Sequence, residues 1–185
     1  MALAVAVALF VGFGLTFYLL GDGRQLAASH TGAWAAWPAL GGPDPDPYTR
    51  AYITRAGQLQ LGKSEGIEFV AYGDDGGTHF DPHCTYLVHG LTPTASFWTL
   101  SAIAADGRIV VAKGTPLYLD SQHIPREDDG TMDIRVGPDL APGNWLQTDG
   151  QNGYHLSLKL YDSAVFSGLG SDVSAMPTIA RVSCP

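Results

Sequence analysis

Length, charge and composition narrow the class of protein before any motif is considered. The chain has 185 residues, with 10 Lys or Arg against 18 Asp or Glu, so its net charge is −8. Nucleic-acid binding is excluded, because neutralising phosphates needs concentrated positive charge and the chain has no cluster of Lys or Arg. Its 23 Gly and 12 Pro argue against a helix bundle and favour short elements joined by turns.

The first 20 residues contain no charged side chain. An α-helix over residues 2–20, rising about 1.5 Å per residue, would extend for roughly 28 Å, which is close to the thickness of a bilayer's hydrocarbon core. We therefore predict a single-pass transmembrane anchor over residues 1–20, with membrane lipid in contact with residues 2–20. Two alternatives stay open: a cleaved signal peptide, for which Leu26-Ala27-Ala28 is a poor cleavage site, and a helix buried in a protein core.

Residues 21–46 are rich in Gly, Ala and Pro, and they are predicted to form a linker or docking segment. Trp34 and Trp37 are too apolar to be left in water, so we expect them to dock on the body or on the membrane surface. Asp46 is a suitable N-cap and Pro47 a suitable first helical residue, which predicts one short helix at this point.

Short apolar segments separated by turn residues follow from Gly66 onward. Strands are predicted at 67–72, 84–89, 97–104, 108–112, 132–136, 154–161 and 178–182. The pair Asp106-Gly107 between two apolar segments indicates a hairpin. In 154–161, leucines alternate with polar residues, which predicts one buried face and one solvated face. Residues 47–185 are therefore predicted to form a mainly β domain, an antiparallel β-sandwich or jelly-roll-like fold.

Cys84 and Cys184 are the only cysteines, so one disulfide within the chain is possible. In an oxidising compartment it would attach the C-terminal tail to the body and close a loop of about 100 residues. The alternative is two buried free thiols. Because the apolar leader favours translocation, we predict the disulfide and a body in the periplasm or outside the cell.

A second group of residues has the chemistry of a metal site. His79, Asp81 and His83 would point the same way in an extended strand, which suits a facial set of nitrogen and oxygen ligands. Pro82 disturbs regular strand pairing, and Cys84 is unable to ligate while it is in a disulfide. A solvated turn is therefore favoured over the metal site, and no cofactor is predicted.

Signatures of catalysis are missing from the sequence. The segment Phe166-Ser167-Gly168-Leu169-Gly170 lacks the glycine two positions before the serine that a nucleophile elbow has. The glycines of Gly73-Asp74-Asp75-Gly76-Gly77 precede no predicted helix, so they indicate a turn and not a phosphate-binding loop. The sequence thus leans towards a protein that is not an enzyme.

Several polar residues stand beside large aromatic ones, and they are candidates for a ligand site: Arg50, Glu65, Trp98, Asn144 and Trp145. Apolar walls with a few convergent polar groups are typical of small-ligand pockets. The same residues suit a structural network in which Arg50 pairs with Glu65 and Asn144 caps a loop, since buried polar groups must be hydrogen-bonded whatever they do. Both interpretations stay open, with the structural one favoured.

Eight segments carry a resemblance to a known family when they are taken in order: Gly32-Ala33-Trp34, Asp46-Pro47-Tyr48-Thr49-Arg50-Ala51, Ser64-Glu65-Gly66, Cys84-Thr85-Tyr86, Phe97-Trp98-Thr99-Leu100, Pro142-Gly143-Asn144-Trp145-Leu146, Leu158-Lys159-Leu160-Tyr161-Asp162 and Arg181-Val182-Ser183-Cys184. From about Trp34 to Cys184 the chain resembles the bacterial domain of unknown function 1214. The resemblance implies a membrane-anchored envelope protein with a β-sandwich body, and it implies no activity. His79 to Cys84 departs from the family pattern, which has a Gly/Asp-rich turn there.

These observations predict a non-catalytic accessory or assembly subunit of an inner-membrane or envelope complex. Its single helix would lie in the bacterial inner membrane, its β-sandwich in the periplasm, and its partners would be proteins of that complex. The alternative is an anchored domain that binds or processes a small ligand or a carbohydrate through the candidate residues Arg50, Glu65, Trp98, Asn144 and Trp145.

Overall fold

An exposed apolar helix opens the chain. The computed structural model describes residues 1–21, 28–37, 47, 50–51, 54, 65–163 and 176–185. Helix α1 comprises Ala2–Gly21, and the side chains of residues 1–17 are all exposed. Among the described residues, no helix combines the length and the apolarity that a membrane crossing requires. The structure therefore does not support the predicted transmembrane anchor over residues 1–20.

The regular secondary structure in the described part of the body is almost entirely β. Its strands are β1 (Ser29–Thr31), β2 (Trp34–Ala36), β3 (Gly66–Ala71), β4 (Thr85–Gly90), β5 (Ala95–Ile103), β6 (Leu119–Asp120), β7 (Met132–Gly137), β8 (Asn144–Gln147), β9 (His155–Ser163) and β10 (Thr178–Ser183). The short helix predicted from Pro47 is represented by Pro47, Arg50, Ala51 and Thr54, which are helical. Its other residues, and most of the predicted linker, lie outside the described residues.

The strands form two sheets, with the orders β1-β2-β3-β9-β5-β6 and β10-β4-β7-β8. The prediction of a mainly β fold is confirmed, but the second sheet is mixed and not purely antiparallel, because β7 and β8 are parallel. Residues 138–143 carry the chain back so that Asn144 stands opposite Ile134. The Arg135 side chain holds this return by donating from Nη1 to the Pro142 carbonyl at 3.0 Å.

One hydrophobic core lies between the two sheets. Leu156, Leu158 and Leu160 of β9 are fully buried in it, as the alternation in the sequence predicts. Residues from the second sheet enter the same core, among them Val88 of β4 and Ile134 of β7. Each fully buried leucine contributes about 2 kcal/mol through loss of apolar contact with water.

Part of the outer face of the six-stranded sheet is also buried, and for this part the predicted solvated face of β9 is wrong; Lys159 and Tyr161, farther along the same face, are partly exposed. His155 and Ser157, expected on the solvated face of β9, are only 7% and 0% exposed. A second apolar cluster of Ala35, Trp37 and Val70 lies on this outer side, apart from the core between the sheets. The sheet therefore buries side chains on both faces, so its polar outer residues need hydrogen-bond partners within the protein.

Part of the predicted linker is a pair of strands. Strands β1 and β2 form a hairpin at the edge of the six-stranded sheet, and β2 pairs with β3. Gly32 turns this hairpin with φ +57°, a left-handed conformation that favours glycine. The expected docking of Trp34 on the body is realised as a buried side chain whose Nε1 donates to the Pro177 carbonyl at 2.7 Å.

The predicted strand at 108–112 is not a strand. The Asp106-Gly107 turn forms, with Gly107 at φ 82° and its N–H donating to the Ala104 carbonyl at 2.9 Å. Beyond it, however, only an isolated bridge joins Ile109 to Ile103, because β6 takes the place beside β5 that a longer hairpin arm would occupy.

Candidate functional site

A disulfide joins Cys84 to Cys184, with their Cα atoms 4.3 Å apart, so the predicted pairing is confirmed. Cys84 directly precedes β4, and Cys184 directly follows β10, its antiparallel partner. The bond therefore fixes the end of a strand pair that lies at one edge of the four-stranded sheet. Closing a loop of 100 residues stabilises by up to about 4.7 kcal/mol in the chain-entropy model.

The structure does not bring His79, Asp81 and His83 together as a metal-ligand set. Asp81 accepts a hydrogen bond from the backbone N–H of His83 at 2.9 Å, which is the geometry of a turn. The His79 ring lies elsewhere, with Nδ1 3.1 Å from the Tyr72 carbonyl. In the described part of the chain, no group of three or more His, Cys, Asp or Glu residues is arranged to hold a metal ion.

Three members of the candidate ligand set have structural contacts. Trp98 is 2% exposed and belongs to the core between the sheets. The Asn144 amide donates to the carbonyls of Pro125 at 3.0 Å and Asp133 at 2.9 Å. Trp145 donates from Nε1 to the Gly137 carbonyl at 3.2 Å. Asn144 thus links Pro125, in the loop before β7, to Asp133 of β7. This is the loop-capping role that the sequence suggests as the structural alternative to a ligand site.

Arg50 and Glu65, the other two members of that set, are exposed. The Glu65 carbonyl accepts a hydrogen bond from the Asp162 N–H at 3.1 Å, which extends the pairing of β3 with β9 by one residue. Because Trp98 is enclosed in the core while Arg50 and Glu65 lie at the surface, the set is divided between two environments. This division favours the structural interpretation of the set over the ligand site.

A polar cluster that the sequence did not single out lies on the buried outer face of the six-stranded sheet. The Ser157 hydroxyl donates to a carboxylate oxygen of Glu68, and Lys159 Nζ lies 4.0 Å from the same oxygen. The Glu68 side chain is 9% exposed. The signal was present in the strand pattern: Glu68 stands between the inward-facing Ile67 and Phe69, and it pairs directly with Lys159. Because Ser157 is fully buried, its hydroxyl is out of reach of a substrate.

Asp75 is a second residue that the sequence pattern missed. Its carboxylate accepts hydrogen bonds from the N–H of Ala33 at 2.9 Å and from that of Ile179 at 2.6 Å. Its own N–H donates to the Ile179 carbonyl at 2.9 Å. The residue belongs to a Gly/Asp-rich segment that indicated only a turn, yet it ties the β1-β2 hairpin of one sheet to strand β10 of the other.

Beside Asp75 lies a cavity of about 230 Å³. Its walls include the Tyr72 ring and the side chains of His30 and His79. The Tyr72 ring also meets the His155 ring, with centroids 5.1 Å apart, so this side of the cavity adjoins the buried outer face of the sheet.

Asp120 and His123 form a closely bonded pair at a different cavity. His123 Nδ1 lies 2.8 Å from Oδ1 and 2.9 Å from Oδ2 of Asp120. The same carboxylate accepts from the N–H groups of Gln122 and His123. The hydrogen bond from the His123 ring, followed by those from the backbone, lowers the pKa of Asp120 below its usual 3.8. The carboxylate is therefore ionised over the whole neutral range.

Three buried polar atoms find no hydrogen-bond partner among the residues that the structure describes: Trp98 Nε1, Thr148 Oγ1 and the Tyr154 hydroxyl. Tyr154 stacks on Phe80 with ring centroids 5.3 Å apart and planes at 8°. Burial raises the pKa of Tyr154, and the neighbouring Tyr86 and Asp81 raise it further. This phenol therefore stays protonated at every pH near neutrality and offers no base.

Comparisons with known proteins identify a family and a fold. The family model described as "Protein of unknown function (DUF1214)" matches residues 65–165. A crystal structure of a protein from Vibrio parahaemolyticus is similar, with a TM-score of 0.58, 18% identity, and coverage of 76% of this chain and 36% of that one. An uncharacterised protein from Burkholderia cenocepacia gives a TM-score of 0.50 and 15% identity, with coverage of 91% and 40%.

The similarity to these two structures concerns the fold alone, because both identities are low. The chain spans well under half the length of each of these proteins. No curated protein matches the chain.

Proposed function

Because this chain belongs to the DUF1214 family, whose function is unknown, we propose a role from its own geometry: a non-catalytic accessory or assembly subunit of an envelope complex. In this role helix α1 attaches the protein to the inner membrane, and the body, a β-sandwich, lies in the periplasm. The body serves as a rigid surface for protein partners.

The observation that carries the proposal is the exposure of α1. Its large apolar side chains are exposed on every side of the helix, with Phe10 at 83% and Phe13 at 73%. No acidic residue stands in its first turn and no basic residue in its last. A helix that is apolar on all faces is stable only where apolar groups surround it, and lipid provides such surroundings. Attachment to lipid is the simplest way to cover these side chains.

Two features of the body support the rest of the proposal. Disulfides persist in oxidising compartments such as the periplasm, and the Cys84–Cys184 bond joins two residues of the body that are 100 positions apart. Glu68 and Ser157, two polar side chains that are almost completely buried, are hydrogen-bonded to each other. Such contacts favour a structural body over a reaction centre. The ligand-binding alternative finds no comparable support, since Asn144 and Trp145 bond to backbone carbonyls.

Fractionation tests the attachment. The full chain, expressed in a Gram-negative host, is expected in the membrane pellet after an alkaline carbonate wash. A variant in which a cleavable signal peptide replaces residues 2–21, so that the body is still exported, is expected in the periplasmic extract. A charged pair in the helix, Phe10→Lys with Phe13→Lys, should release the protein as the replacement does. Leu140→Lys is the matched control, since Leu140 is 85% exposed on the body and its substitution should release nothing. Release of the unmodified chain by carbonate would contradict the attachment.

Purification in mild detergent tests the accessory role separately. The full chain is expected to elute with stoichiometric protein partners, and crosslinking should attach them to the body. A protein that elutes alone, with no partner recovered by crosslinking in cells, would contradict the role even where the membrane attachment holds.

A further inference from the structure

The cavity beside strand β6 combines apolar walls with one oriented hydrogen-bond acceptor. Its volume is about 480 Å³, within the range of small-molecule sites. It is lined by Pro116, Leu117, Tyr118, Leu119, Asp120 and His123. Leu117 and Tyr118 are 54% and 48% exposed, so large apolar groups stand open to solvent at its wall.

The fold presents these residues together at one edge of the six-stranded sheet. Within the described ranges strand β6 is the last strand of that sheet, and its one paired neighbour there is β5, through Thr99↔Asp120 and Leu100↔Leu119. The turn that follows β6 returns His123 towards the Asp120 carboxylate, which accepts the backbone N–H groups of Gln122 and His123. The carboxylate therefore holds the turn through these backbone groups and the imidazole through Nδ1, which lies 2.8 Å from Oδ1.

The pairing also determines which ring nitrogen of His123 is available. An ionised carboxylate only accepts hydrogen bonds, so Nδ1 of the neutral ring carries the proton that faces Asp120. Nε2 is then left with its lone pair, as an acceptor. The Asp120 side chain is 13% exposed and that of His123 is 80% exposed, so the carboxylate lies at the base of the pair and the imidazole at the rim.

From this geometry we infer a binding site for a small uncharged compound that has an apolar, preferably aromatic, body and a hydroxyl group. The apolar body packs against Leu117 and Tyr118, and the hydroxyl donates to Nε2 of His123. Asp120 is a positioning residue, because it acts on the ligand only through the orientation of the ring. The inference is independent of the proposed accessory role.

Two probes that differ by a single hydroxyl test the site: 4-hydroxybenzamide and benzamide. The full chain in lipid nanodiscs, with ¹⁵N-labelled histidine, is titrated with each probe while the ring nitrogens are followed by NMR. We expect saturable binding of 4-hydroxybenzamide with a shift of the His123 Nε2 resonance. Benzamide should bind about fivefold more weakly, which is the contribution of one neutral hydrogen bond.

Variants separate the two parts of the site. His123→Ala should bind both probes with equal affinity, and Leu117→Ala should weaken both by a similar factor. His89→Ala is the matched control: His89 also pairs with a carboxylate, 2.6 Å from Asp133, but it does not line this cavity, so the fivefold difference should remain. Because His123 is exposed, its substitution is not expected to unfold the domain, and circular dichroism verifies this.

The outcomes are decisive in both directions. The inference is overturned if neither probe saturates, if the wild-type chain binds both equally, or if His123→Ala keeps the preference for the hydroxyl. It is supported if the preference is present in the wild type and in His89→Ala and is lost in His123→Ala.

Discussion

The outer faces of the two sheets differ although their strands show the same alternation. On the six-stranded sheet, outward residues such as Val70 and Ser157 are 6% and 0% exposed. On the four-stranded sheet, His89, Asp133 and Ala180 are exposed on the outward side. Alternation in a sequence therefore identifies which residues face the opposite sheet, but it does not say whether the other face meets water.

The polar pairs on these two faces accordingly have different energetic roles. The bond between Glu68 and Ser157 lies in buried surroundings, where an unmatched polar group costs its full desolvation. The pair of His89 and Asp133, 2.6 Å apart, has side chains 54% and 48% exposed, so water and salt screen it. Four measurements probe the two sheets, from the largest expected effect to the smallest, and the second and third compare the two outer faces directly.

Removal of the disulfide should have the largest effect, and it should fall on the four-stranded sheet. Replacing both cysteines, Cys84→Ala with Cys184→Ala, is expected to lower the free energy of unfolding by up to about 4.7 kcal/mol, as the chain-entropy model gives for a loop of 100 residues. Urea denaturation measures the loss. The loss of global stability affects both sheets, but β10 is an edge strand whose end the bond fixes to β4, so its amides should also fray locally and become less protected in hydrogen exchange than those of β9. Equal protection in the two strands would contradict this local role.

Glu68→Ala should cost about 2 kcal/mol, because it leaves the fully buried Ser157 hydroxyl without an acceptor. Glu68→Gln keeps an acceptor oxygen in place and should cost less than half as much. Urea denaturation of the two variants and of the wild type gives the three free energies of unfolding to be compared. Equal stability of all three proteins would show that an unpaired hydroxyl on this face carries no desolvation cost.

Asp133→Ala, on the exposed face, should cost less than about 1 kcal/mol, since surface ion pairs contribute little. The loss should shrink further when salt is raised. The same denaturation experiment at low and high salt gives both values. A loss as large as that of Glu68→Ala would mean that the two faces are not as different as their exposure indicates.

Protonation of the Asp120 carboxyl should have the smallest effect on the free energy of unfolding, but its pKa is directly measurable. Because its pKa in the folded protein lies below 3.8, its stabilising contribution is present above about pH 4 and is lost as the pH falls through the lowered value. An NMR titration of the carboxyl carbon should give a midpoint below 3.8, and His123→Ala should move it up towards 3.8. An unchanged midpoint in the variant would refute His123 as the main cause.

The longer strands follow from the sequence, because their side-chain pattern reports burial directly. Leu156, Leu158 and Leu160 predict β9, and the apolar segments of β3, β4 and β7 are recovered within one or two residues. Strands β1, β2, β6 and β8 escape prediction because two to four residues carry too little pattern. Their places depend on register with neighbours that are distant in the chain, as β2 depends on β3.

The sites are less predictable, because they depend on which residues meet in space. With two cysteines in the chain, Cys84 and Cys184 are the only partners for a disulfide within it, but free thiols stayed an alternative until the structure showed the bond. His79, Asp81 and His83 have the right chemistry for a metal, but a turn separates their side chains. Asp120 and His123 are only three residues apart, but they are candidates for a binding site because they line a cavity beside β6. A cavity is not predictable from a local sequence pattern.

The central position of β9 in its sheet has a consequence for the order of folding. Strands β3 and β5 do not pair with each other; each pairs with β9, on opposite sides. During synthesis both are made well before β9, so each presents an open edge until β9 is inserted between them. Such an edge readily pairs with other chains. The nascent domain is thus most prone to aggregation in the interval before β9 emerges, and its folding should be slow because these contacts join distant parts of the chain.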